Sequence, residues 1–250
     1  MAIGQHGQAL QGSVYNPRAI RIGAAIRPVR DGRWDYKLMH QMMQAVCRVF
    51  APGAVGILVY TNDAGLYRIR CRCEELPLMD KVVGAAKSFE MVLVADEPLW
   101  MSQIEFKHRL GQVVGGKRYP LRYPLRFGEW IKNVTVTNDT GIDTPVVVEI
   151  NSTAQYIVLT NEATGEWLQV DKSIEDNQRM IIDTGAATVE LLTYDDLGNI
   201  IDREYANYKL TLDSRYWMLR PGTNTITLDN GYPGTSVTAV IRYHKLYAGV

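Results

Sequence analysis

The sequence predicts a mostly β protein with one helix, arranged as an N-terminal α+β domain and a C-terminal β-sandwich. Three observations carry this. Short stretches in which apolar and polar residues alternate recur along the chain, which is the period of half-buried strands. Only one segment, Arg33 to Phe50, has helical spacing of its apolar residues. After Trp130, turn residues punctuate the strands every 8–12 residues or so, the rhythm of a sandwich or jelly roll. At 250 residues the chain is long enough for two ordinary domains.

The first strand runs from Ala19 to Arg27, where Ile20, Ile22, Ala24 and Ile26 alternate with Arg21, Gly23, Ala25 and Arg27. Pro28 and Asp31-Gly32 break it. The helix follows, with Leu38, Met42, Val46 and Val49 recurring at three- and four-residue steps and Trp34 and Phe50 extending the stripe. Asp31 or Asp35 can serve its N-terminus, and Ala51-Pro52-Gly53 stops it. Met39, Met42 and Met43 are expected to fill a core gap, the commoner use of such a stripe. Val55–Tyr60 and Leu66–Glu74 flank a turn at residues 61–65 and read as a hairpin, and Lys87–Ala95 alternates again. One helix on several antiparallel strands gives an α+β domain, a β-sandwich or split barrel plus helix, expected over residues 1–112.

Residues 113–127 are expected to be an extended linker. They contain Tyr-Pro-Leu-Arg twice in tandem, from Tyr119 to Arg126. Each proline lacks a backbone donor and pushes its predecessor toward extended geometry, so no regular helix forms there. The tyrosines and arginines either grip a neighbouring subunit or lie along their own domains. From residue 128 to 250 the strand candidates are Val134–Val136, Val146–Ile150, Tyr156–Leu159, Trp167–Val170, Met180–Ile182, Thr188–Thr193, Thr223–Leu228 and Ser236–Tyr247, with a clear turn at Asp195–Asn199.

No catalytic constellation is visible, and the chain is expected not to be an enzyme. His6, His40, His108 and His244 are far apart and lie in no metalloprotease spacing. There is no nucleophile elbow and no phosphate-cradling glycine loop. Asp195 and Asp196 sit in a turn, where such residues suit the backbone. Three cysteines make a poor disulfide framework, and a metal site would need further ligands nearby, so neither metal nor cofactor is expected. Cys47, Cys71 and Cys73 are expected to be reduced and mostly buried. No apolar run approaches the roughly 20 residues that cross a bilayer. The start of the chain has neither basic nor apolar leader regions, which predicts synthesis and folding in a cytoplasm. The net charge is zero but unevenly placed: residues 1–130 carry 18 Lys and Arg against 11 Asp and Glu, and residues 131–250 carry 9 against 16. Such polarity suits either subunits that dock basic face to acidic face or two domains with different solvated surfaces.

The order of these features resembles the distal tail protein family of long, non-contractile-tailed bacteriophages. The resemblance rests on Gly4-Gln-His-Gly-Gln8 with the Arg-flanked strand to Ile26, Asp96-Glu-Pro-Leu-Trp100 after a strand, and Tyr119–Gly128 as an interdomain passage. It continues with Thr137-Asn-Asp-Thr-Gly141, Gly165–Asp171, Met180–Thr184, Leu219–Ile226 and the closing strand through Tyr243. The family implies a structural role in the virion. Six subunits form a ring at the tail tip, N-terminal domains inside and galectin-like domains outside. The ring joins the tail tube protein to the tail-tip hub or baseplate and, in some members, to receptor-binding proteins. DNA passes through it without specific binding. In that setting Arg21, Arg27, Tyr119, Arg122, Tyr123 and Arg126 are candidate assembly residues, the arginines each offering a planar fork to a carboxylate. The competing class is a carbohydrate-binding module recognising host surface glycans. It would need an exposed aromatic platform, for which Trp130, Trp167 and Trp217 are candidates, although each sits in or near an apolar strand pattern.

Overall fold

The computed structural model describes residues 15–83, 86–114, 129–230 and 237–250. The backbone divides into two compact units, Met1–Trp100 and Met101–Val250.

In the first unit, Arg18–Ile26 pairs antiparallel with Ala86–Ala95, which in turn meets Gly65–Cys73. Val55–Asn62 adds to Gly65–Cys73, and Leu78–Val83 adds to Ala86–Ala95. The alternation in Arg18–Ile26 does what it predicts. Ile20, Ile22, Ala24 and Ile26 face inward opposite Leu93, Met91, Phe89 and Lys87, and Arg21, Gly23 and Ala25 face out. The Val55–Asn62 hairpin is tighter than expected, because the Asn62 side chain accepts hydrogen bonds from the Ala64 and Gly65 amides and closes the turn within two residues.

The helix spans Tyr36–Val49 and starts later than the apolar stripe predicts. Asp31 and Gly32 both adopt positive φ, 51° and 73°. That is the mirror-image turn which Asp-Gly favours, and it pairs Val29–Arg30 with Arg33–Trp34 as a small hairpin. Asp35 then caps the helix, its carboxylate accepting the Leu38 amide at 3.0 Å. The expected burial of the methionine stripe is corrected: only Met39 is buried, while Met42 and Val49 are exposed. A 3.6-residue stripe fixes which side of a helix is apolar, but not whether a neighbour covers it.

The second unit is a two-sheet sandwich. One sheet orders Asn133–Asn138, Gly222–Asp229, Ile157–Asn161 and Glu166–Val170. The other orders Ile200–Tyr205, Thr188–Tyr194, Gln178–Asp183, Val147–Ile150, Ala239–Tyr243 and Phe106–Leu110. Inward residues of both sheets merge into one cluster. Val136, Leu159, Leu168 and Ile226 come from the first sheet, and Val148, Ile182, Leu191 and Ile241 from the second.

The expected linker, residues 113–127, lies for the most part outside the described residues. Phe106–Leu110 is already a strand of the second sheet, paired with Ala239–Tyr243. Gln112–Val114 and Glu129–Ile131 then pair with each other, Gln112 opposite Ile131 and Val114 opposite Glu129. The two ends that flank residues 115–128 are therefore side by side. Local sequence shows where the chain is extended. It does not show that residues 112 and 131, so far apart along it, are partners.

Candidate assembly interface

Apolar side chains are left uncovered along one face of the first unit. Across the hairpin, Val55 stands opposite Arg72, Ile57 opposite Arg70 and Val59 opposite Arg68. The side-chain period of two puts all six on one side, with Leu58 and Ile69, Gly56 and Cys71 on the other. Ile57 is 64% exposed, and Val55 and Val59 are more than half exposed. Among the described residues Val55–Asn62 pairs only with Gly65–Cys73, so there it forms an edge of the sheet. At its start an apolar groove is lined by Val49, Phe50, Ala54, Val55, Ile57 and Leu58. The exposed Val49 at the end of the helix extends the same surface.

The arginine row is electrostatically uneven. Arg72 is held by Asp96, with nitrogen–oxygen distances of 3.3 and 3.4 Å, and reaches Glu74 at 4.0 Å. Arg70 is exposed and has no carboxylate partner among the described residues. Beneath this face Cys71 and Cys73 are buried, and burial pushes the Cys71 thiol above its ordinary value. Cys47 is half-buried, and all three thiols are free. Aliphatic side chains exposed in a row beside arginine stems form an apolar patch rimmed by polar groups, the kind of surface that marks an interaction site.

The sequence candidates are dispersed. Arg21 lies opposite Val92 on the outward face of its strand, and Arg27 lies just past the strand's end, roughly 20 Å away by strand rise. Both are exposed, and neither has an ion pair among the described residues. Tyr119, Arg122, Tyr123 and Arg126 lie outside the described residues. Sequence reading missed the ladder of Val55, Ile57 and Val59. Its signal was available in the continuous run Val55-Gly-Ile-Leu-Val-Tyr60, which is apolar on both faces although only one can face the core of this unit.

The second unit offers no aromatic platform at Trp217. That indole is 2% exposed and donates to the Leu159 carbonyl at 3.3 Å. Trp167 is half-buried. The side chain of Trp130 lies outside the described residues. Around Trp217, three buried asparagines bind the segment through Leu219 and Arg220 to the sheet. Asn138 donates to the Ile142 and Leu219 carbonyls, each at 2.9 Å. Asn161 donates to Asn224 at 3.1 Å, and Asn224 donates to the Arg220 carbonyl at 2.7 Å while accepting the Arg220 amide. Among the described residues no group of three or more His, Cys, Asp or Glu is placed to hold a metal ion. No helix there is long and apolar enough to cross a membrane.

Residues 139–247 match the family described as siphovirus-type tail component, C-terminal domain. Over 99% of this chain and 86% of the other, the fold is similar to the crystal structure of the Dit protein of phage SPP1, described as a paradigm of the hub adsorption apparatus in phages that infect Gram-positive bacteria. That match has a TM-score of 0.66 at 11% identity. The phage p2 baseplate in its activated conformation with calcium is a more distant likeness, with a TM-score of 0.43 at 11% identity, covering 86% of this chain and 75% of that one. No curated protein matches the sequence. The resemblance to phage distal tail proteins is borne out, as is the mostly β fold with its single helix.

Proposed function

We propose that this chain is a structural ring subunit of the phage tail tip. Six copies close into a ring that joins the tail tube protein to the tail-tip hub or baseplate, and DNA passes through without specific contacts. The match of residues 139–247 to the tail component family carries the reading. The uncovered ladder of Val55, Ile57 and Val59 supports it, because an exposed apolar edge strand on a single chain calls for a partner. The polarity of the chain, +7 over residues 1–130 and −7 over residues 131–250, suits a head-to-tail interface that closes by rotation. The chain is made in the host cytoplasm and resides in the virion tail, where its role is structural rather than catalytic. The second domain is a galectin-like sandwich that docks proteins and does not stack sugars, since the Trp217 indole is enclosed.

The test is the mass of the purified full chain in solution, with negative-stain images and gold-labelled antibody on intact tails. A hexameric mass, a ring and label at the tail tip are expected. A strict monomer at high concentration together with unlabelled tail tips rejects the reading. Saturable binding of a cell-wall saccharide, lost in a folded Trp167→Ala variant, replaces it with the carbohydrate-binding one.

A further inference from the structure

We infer that the open face of the first sheet is a contact surface between two copies of this chain, the ladder of Val55, Ile57 and Val59 of one lying over Gly23 and Ala25 of the other. The contact goes beyond the ring reading and holds whether or not a ring forms. The strand order is Arg18–Ile26, Ala86–Ala95, Gly65–Cys73 and Val55–Asn62. Arg72 stands opposite both Val55 and Val94, and Val94 stands opposite Ala19. The ladder at one margin and Gly23 and Ala25 at the other therefore share one side of the sheet, roughly 14 Å apart by three strand spacings.

The margin opposite the ladder is a shallow groove lined by Gly23, Ala25, Leu78, Ser88 and Glu90. Leu78, opposite Glu90, is 72% exposed and walls it. Gly23 lies mid-strand, and a side chain added there would meet nothing within 4 Å in the single chain. Glycine weakens a strand interior, and one of its uses there is to admit a ligand or another backbone at close range. Among the described residues nothing makes that approach, which leaves a neighbour from outside.

Size and charge match in one register. On the ladder side Ile57 stands opposite Arg70, and on the groove side Gly23 stands opposite Glu90. Each pair spans one strand spacing, about 5 Å. Setting Ile57 over Gly23 therefore sets Arg70 over Glu90. A valine of the ladder then falls over Ala25, again large against small. Arg70 and Glu90 are both exposed, and neither has a partner of opposite charge among the described residues.

The occupant is a second copy because the surface complements itself. Ladder and groove lie on the same side, so two copies that face each other make the contact twice about a twofold axis. Arg70 of each copy then meets Glu90 of the other, an arrangement that a partner of uniform charge does not satisfy. The two open faces pack as the layers of a sandwich, about 10 Å apart. Each copy's uncovered ladder is covered by the other's groove.

Light scattering of the full chain against concentration tests this. Gly23→Leu fills the groove without a clash in the single chain, so it should unfold in urea like the parent and raise the concentration at half-pairing about tenfold. Arg70→Glu and Glu90→Arg should each weaken pairing about as much, and the two together should restore it to within about threefold. Copies carrying Ile57→Cys, mixed with copies carrying Gly23→Cys, should join through a disulfide that neither forms alone. A folded Gly23→Leu chain that pairs like the parent, a double charge variant no better than either single one, or mixed cysteine copies that stay unjoined overturns the contact. If the parent forms a single ring that these variants do not touch, the contact falls and the ring reading stands. If the parent stops at two copies and the variants fall to one, the contact stands and the ring reading falls. If the parent stays monomeric, both fall.

Discussion

The two domains handle their apolar residues in opposite ways. In the second, all inward positions of both sheets fall into one cluster, where Val148, Ile150, Ile157, Met180, Ile182, Leu219 and Ile226 are fully buried. Polar groups that enter that core are paired, as Asn138, Asn161 and Asn224 show. In the first domain the best-covered positions are one face of the sheet, including Ile69, Cys73 and Leu93, while Val55, Ile57, Val59 and Val49 stay in the open. The Trp34 indole nitrogen is buried there with no hydrogen-bond partner among the described residues. The contrast separates two jobs. A closed core makes a domain stable by itself. An open apolar face leaves part of the burial to be completed by another chain.

The sharpest way to break this comparison is to cut the same methylene volume from each domain. Ile182→Ala in the sandwich should cost about 2–5 kcal/mol, because it leaves a cavity in close-packed surroundings. Ile57→Ala on the exposed ladder should change unfolding free energy by about 0.5 kcal/mol or less, while lowering the assembled fraction seen by light scattering. Urea unfolding of both variants measures the difference, and equal losses would show that the ladder is covered within the single chain.

The polar part of the closed core should be nearly as sensitive. Asn224→Ala removes the donor to the Arg220 and Gly222 carbonyls and the acceptor for the Asn161 and Arg220 groups. Leaving buried groups unpaired should cost about 1–3 kcal/mol per group not rescued by water. Thermal unfolding would show a lowered midpoint for the second domain, and an unchanged midpoint would mean that the segment through Leu219 and Arg220 is held by packing alone.

The smallest effect should be a pH dependence confined to the second domain. His108 lies on the strand Phe106–Leu110, stacked at 5.9 Å on Tyr243, and burial pushes its imidazole below the ordinary value of 6.5. As pH falls, the unfolded chain takes up this proton first. The stabilising contribution is therefore full above pH 6.5 and is lost as pH falls below it. Chemical unfolding at pH 7.5 and pH 5.5 should give a lower midpoint in acid, and His108→Gln should flatten the difference. A variant with the full acid sensitivity of the parent would assign the effect to other groups.

Much of the fold was legible in the sequence, and the exceptions have a common cause. Arg18–Ile26, Ala86–Ala95 and most sandwich strands announce themselves by alternation, since each has one wet and one dry face. Ile200–Tyr205 does not alternate, because nearly all of it is exposed, so no period marks it as a strand. Phe106–Leu110 turns Phe106, His108 and Leu110 inward, and the histidine hides the pattern. Among the candidate assembly residues, Arg21 and Arg27 are exposed but stand far apart along one strand and its end, so sequence proximity does not gather them into a site.

By itself the sequence determined the local states: which stretches are extended, that one segment is helical, where Asp31-Gly32 turns, and how charge divides between the halves. Those properties depend on residues within a few positions of one another. Only the tertiary structure decided that Gln112–Val114 pairs with Glu129–Ile131, that the helix stripe is covered at Met39 and open at Val49, and that Val55, Ile57 and Val59 face outward beside three arginines. Burial and pairing depend on what arrives from elsewhere in the chain, and a side chain's own neighbours in sequence carry no record of it.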